Sequence, residues 1–142
     1  MKKCFRCFAL PTGASIALLL LRLVAGSAFL IHGWGKMQAP LSWMGPEAPV
    51  PGFLQLLATL SEFGGGIALI LGLLTPLGAL GIAMTMAVAV SMHAFVMKDP
   101  FVATAPGQGA FELPLVYLTV ALTLITVGPG RFSLDWKIFG QK

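Results

Sequence analysis

Six side chains of this chain could take part in chemistry: Arg22, His32, Lys36, Glu62, His93 and Glu112, each set in or beside a largely apolar stretch. An imidazole titrates near neutral pH, and a carboxylate placed away from water can take up or release a proton. Lysine and histidine donate hydrogen bonds to a carbonyl oxygen. An arginine out of water needs acceptors around it, because an unpaired buried charge is costly. No Glu-x-x-His pair falls on one predicted helix, so no metal site is assigned.

The elements that carry these groups read as membrane helices. Of the 142 residues, 57% are hydrophobic and 10% charged, against the roughly 25% charge of a typical soluble domain. Helices satisfy their own backbone hydrogen bonds in lipid, so the expected class is all-α, a four-helix transmembrane bundle. The chain forms one domain over 1–142, with predicted spans at about 12–36, 51–74, 76–97 and 109–127. Each is long enough for about 30 Å of hydrocarbon at about 1.5 Å per residue. Thr75-Pro76 leaves almost no loop between the second and third spans, which predicts a tight antiparallel hairpin.

Four spans put both ends of the chain on one side. That side carries Lys2, Lys3, Arg6, Arg131, Lys137 and Lys142, while the other carries Lys36 and Lys98. The excess predicts both termini in the cytoplasm of a bacterial inner (plasma) membrane, with anionic lipid rather than nucleic acid as the partner of the net +4 charge. Trp34, Trp43 and Trp136 fall near the predicted interfaces.

At about 100° per residue, Arg22, Ala25, Gly26, Phe29, His32, Gly33 and Lys36 share one sector of the first helix. Leu20, Leu23, Val24, Ser27, Ile31 and Trp34 lie opposite. The first set should meet protein and the second lipid. Residue rise puts Arg22 and Glu62 at similar depth, so a structural ion pair between them is expected. His32, Lys36, Glu62, His93 and Glu112 all fall toward the outer half, where four helices could gather them into a polar pocket. Stripes of small residues, Ser61, Gly65, Ala68 and Gly72 on the second helix and Ala79, Ala83 and Ala87 on the third, should let the backbones approach. Cys4 and Cys7 form a Cys-x-x-Cys pair in the tail, where a dithiol role stands beside none at all.

The ordered set Leu21-Arg22-Leu23, His32-Gly33-Trp34-Gly35-Lys36, Glu62-Phe63-Gly64-Gly65, Gly72-Leu73-Leu74-Thr75-Pro76 and Gly128-Pro129-Gly130-Arg131-Phe132-Ser133-Leu134-Asp135 resembles the DoxX family of small bacterial membrane proteins. The resemblance implies a four-helix membrane bundle and an association with redox systems that handle thiosulfate or thiols and quinone. It carries Arg22, His32, Lys36 and Glu62 as the family-typical polar positions.

On that basis the leading expectation is a subunit or accessory of a quinone-linked redox system. His32, Lys36 or His93 would bond a quinone carbonyl, with Glu62 or Glu112 handling the proton. Phe29, Phe63 and Met86 would flank the ring. No cofactor signature occurs within the chain, so electrons would come from a redox partner subunit or a bound thiol. Two other readings stand beside it. One is a membrane scaffold or assembly factor. The other is a path for small solutes, which would require a homo-oligomer.

Overall fold

The computed structural model describes residues 8–140. Among them it forms five α-helices and no strand: α1 (Thr12–Met37), α2 (Gly52–Leu71), α3 (Thr75–Ser91), α4 (Glu112–Val127) and a short α5 (Leu134–Phe139). Cys4 and Cys7 lie outside the described residues. Three helices are long and apolar enough to cross a membrane: α1, α2 and α3 with its extension to Val96. The fourth expected span begins later than its hydropathy suggests, because Phe111 and Glu112 donate their backbone N–H groups to Pro100 O and Phe101 O. This leaves α4 at 16 residues, about 24 Å of rise.

Local chemistry sets the ends. α2 stops at Gly72, whose φ of 64° is left-handed and open to glycine without steric cost. Gly72 N donates to Leu69 O and Leu73 N to Ala68 O, which satisfies carbonyls left over at the helix end. Pro76 sits in the first turn of α3, where its missing N–H costs nothing. The last turn of that helix widens to a π turn over Met92–Val96, closed by Met97 N donating to Met92 O at 2.8 Å.

The helices pack antiparallel in chain order, and α4 returns to touch α1. Phe29, Leu69, Ile82, Met86 and Leu124 fill the interior, with Phe29 against the Tyr117 ring at 4.8 Å between centroids. On α1, Arg22, Ala25, Gly26, Phe29 and Gly33 are buried, while Leu20, Leu23, Val24, Ser27, Ile31 and Trp34 are exposed. Of the small-residue stripes, Gly65, Gly72, Ala79 and Ala83 are buried, whereas Ala87 faces outward.

The α1–α2 seam is the closest. A Cβ at Gly33 would sit 2.5 Å from Phe63 N and 2.7 Å from its Cα, whereas a Cβ at Gly64 would meet nothing within 4 Å. Gly33→Ala is therefore expected to destabilise by about 1–3 kcal/mol through backbone overpacking. Gly64→Ala, also mid-helix, should be neutral or stabilising by up to about 1 kcal/mol. Thermal unfolding of the two variants in one detergent checks the opposite signs.

Candidate functional site

The far pole, opposite the described chain ends, holds the most reactive arrangement. Glu62 on α2 and Lys36 in the last turn of α1 come together, Lys36 Nζ lying 2.6 Å from Glu62 Oε1. The Glu62 side chain is 2% exposed and that of Lys36 21%. Glu62 Oε2 is buried and has no hydrogen-bond partner. A carboxylate oxygen in that state is a vacant acceptor, and leaving it vacant is unfavourable. The ammonium also lies 4.2 Å from the centre of the Trp43 ring, a cation–π distance. On the exposed side of the α1–α2 seam, the Phe63 ring stands 6.0 Å from that of Trp34.

The connection between α1 and α2 is built around the buried Gln55. Its Nε2 donates to Val50 O at 2.9 Å and its Oε1 accepts from Met44 N at 3.0 Å. Its backbone carbonyl accepts from Trp43 Nε1 at 3.1 Å and from the Thr59 hydroxyl at 2.8 Å. The loop is thereby fixed with Trp43 over Lys36. Gln55 was not among the expected site residues. Its only mark in the sequence is a lone amide in an apolar run.

The expected Arg22–Glu62 ion pair is not formed. Glu62 is taken by Lys36, and Arg22 is answered by main-chain carbonyls. Its Nε donates to Leu69 O (3.1 Å), one Nη to Pro129 O (2.6 Å) and the other to Phe132 O (2.8 Å). The physical reason is register. Gly33 meets Phe63, and Gly26 meets Gly66 and Ile70, so Arg22 falls level with the α2–α3 turn. Leu69 is seven residues beyond Glu62, about 10 Å along the helix.

The other expected site residues are dispersed. His32, about 80° from Arg22 around the helix at its edge of the polar sector, is exposed, and so is Glu112 at the start of α4. His93 is half-buried in the π turn, where Nδ1 lies 2.7 Å from Asp99 Oδ2, and Asp99 N donates to its carbonyl oxygen at 2.8 Å. Phe29 and Met86 belong to the interior, and Phe63 borders Glu62 in sequence. Of the five ionisable groups expected in one pocket, only Lys36 and Glu62 are joined.

At the near pole, residues 128–135 close the structure. Asp135, fully buried, accepts Leu74 N at 2.7 Å and Thr75 N at 2.8 Å through its two oxygens, and its own N–H donates to Gly72 O. Ser133 Oγ accepts Trp136 N at the start of α5 and donates to Gly130 O. Among the described residues, Thr75 Oγ1 is the one buried side-chain oxygen here without a partner; the other polar groups of the near pole are spent on the fold.

Comparison with known proteins follows the same lines. The family profile described as DoxX matches residues 17–97. A protein of Haemophilus influenzae described as uncharacterized is 34% identical over 124 residues, covering 86% of this chain and 90% of its own. The Escherichia coli inner membrane protein YqjF is 33% identical over 131 residues, covering 84% of this chain and 90% of its own. No solved structure matches.

Proposed function

Because this chain belongs to the DoxX family, we propose that it is a bacterial inner-membrane protein that serves as a non-autonomous subunit of a quinone-linked redox system. In this reading four helices cross the bilayer with both termini cytoplasmic, and Lys36–Glu62 is the site that contacts quinone and handles its proton. The membrane location draws on the three long apolar helices and on the relative named as an inner membrane protein.

The observation that carries the site is the vacant Glu62 Oε2 beside a lysine that is part-exposed. A quinone, when bound, supplies two-electron chemistry and presents a carbonyl in one state and a hydroxyl in the other. The residues fit both: Lys36 donates to the carbonyl, and Glu62 accepts from the hydroxyl. Phe63, next to Glu62 in sequence, would supply an apolar flank.

Protein extracted in a mild detergent should carry quinone, read by chromatography of an organic extract. Glu62→Gln and Lys36→Met should each lower the bound amount about tenfold or more, the scale of one lost charged hydrogen bond, with helix content retained. Wild-type protein free of quinone from quinone-replete membranes would overturn the assignment. The second reading, a scaffold or assembly factor, draws on the near pole, where Arg22 and Asp135 spend their hydrogen bonds on the fold itself.

A further inference from the structure

We infer that residues 38–51 are a closure over Glu62 and that Gln55 is the positioning residue that holds it shut. The inference rests on the reading of Glu62 as the proton-handling group, and it adds how that group is reached.

Three observations lead to it. Glu62 is almost wholly buried, yet one of its carboxylate oxygens has no partner. Lys36 is bonded to Glu62 Oε1, and Trp43 is stacked on the lysine ammonium. Trp43 is not held by apolar packing alone. Its indole N–H is bonded to the Gln55 carbonyl, and the Gln55 side chain ties the chain on both sides of the loop, at Met44 and at Val50. Gln55 thus clamps the loop through its side chain and its main-chain carbonyl, and Trp43 of that loop reaches the lysine ammonium.

The consequence is a two-position element. With the Gln55 bonds made, the indole covers Lys36 and Glu62 is sealed. With them broken, Trp43 lifts, Lys36 can swing outward on its flexible stem, and the carboxyl meets the aqueous phase or a ligand. The bonds that hold the loop are few and of ordinary strength, so closure is reversible rather than part of the core.

The test is carboxyl labelling in detergent-solubilised full chain, using a water-soluble carbodiimide with glycine ethyl ester and peptide mass spectrometry. The carbodiimide activates the carboxylic acid, the amine displaces it as an amide, and the urea leaves. Exposed Glu112 is the internal control. Glu62 in the wild type should label slowly. Gln55→Ala, which removes the pair of hydrogen bonds to Met44 N and Val50 O, and Trp43→Ala, which removes the covering ring with its one hydrogen bond, should each raise its rate about tenfold or more. Gln55→Glu, which keeps the acceptor for Met44 N but sets a carboxylate oxygen against Val50 O at a buried position, should label at least as fast as Gln55→Ala, and Glu112 should label equally in all. Melting temperatures near that of the wild type exclude general unfolding.

Two results overturn the closure: wild-type Glu62 labelling as fast as in the variants, or variants that fold and label no faster. Equal labelling of wild type and variants by the lipid-soluble dicyclohexylcarbodiimide, with none by the water-soluble reagent, also overturns it by placing access on the lipid side. None of these measurements depends on quinone. A closure that behaves as stated in protein that never carries quinone removes the redox reading and leaves the gate.

Discussion

Arg22→Met is expected to lower stability by about 3–5 kcal/mol, the scale of removing one partner from a buried, hydrogen-bonded charge site. The side chain is 1% exposed, so its cost is not relieved by water. The methionine keeps most of the apolar stem but strips donors from Leu69 O, Pro129 O and Phe132 O. Leu69 O keeps Gly72 N as a donor, but the buried Pro129 O is left without the guanidinium, which costs about 1–3 kcal/mol. Arg22→Lys should recover only part of this, since one ammonium cannot reproduce a planar fork directed at three separate carbonyls. Denaturant titration in detergent micelles measures both. A loss under about 1 kcal/mol for the methionine variant would show that the three contacts contribute little.

The same variant tests the register. Were Arg22 paired with Glu62, the Arg22→Met and Glu62→Gln effects would be strongly coupled. The structure places the guanidinium on the α2–α3 turn and the carboxylate on Lys36. Their effects should therefore add within about 0.5 kcal/mol, while Lys36→Met and Glu62→Gln should not.

That contrast shows what could be read in the chain and what could not. The wheel of α1 separates the buried face from the exposed one because period and residue size act locally, and one helix is enough to reveal them. The α2–α3 hairpin was legible for the same reason: Gly72 and Thr75-Pro76 are local signals. Depth was not. Estimating it from opposite ends of two helices assumes that both start level, and the Gly26 and Gly33 contacts that set the real offset are visible only when the helices are packed. An error of about two helical turns set Arg22 against Glu62, whose partner is Lys36.

The candidate site suffered differently. Lys36 and Glu62 were singled out by charge in an apolar setting, and both belong to the far-pole pair. His32 failed to join them because it sits at the edge of the polar sector, where a small rotation decides between burial and exposure. Asp99 and Gln55 carry no charge anomaly or motif in the sequence, being ordinary loop and helix-start residues there. Their importance arises from contacts across the loop at the far pole: Asp99 beneath His93, and Gln55 beneath Trp43.

Asp135→Ala is expected to cost about 2–4 kcal/mol, because it leaves two buried N–H groups at the start of α3 without acceptors. Those groups are orphans of any helix N-terminus, and a carboxylate there also complements the positive end of the helix dipole. Here the cap is a single residue, 61 positions from Leu74 and 60 from Thr75, so the aspartate joins the α2–α3 turn to the segment that follows α4. It also supports Leu74, held at a left-handed φ of 50° that a branched side chain adopts only at a cost of roughly 1–2 kcal/mol. Asp135→Asn retains one acceptor oxygen but turns an amide toward the other N–H, and should lose about half as much. Ser133→Ala, which removes the cap of the short α5 and the donor to Gly130 O, should lose about 1–2 kcal/mol. Because Asp135 anchors the closing segment, the alanine variant should also become cleavable between Gly128 and Ser133 under limited proteolysis, before the helices themselves are cut. A protease-resistant Asp135→Ala variant with unchanged stability would show that Arg22 and its carbonyls hold that segment unaided.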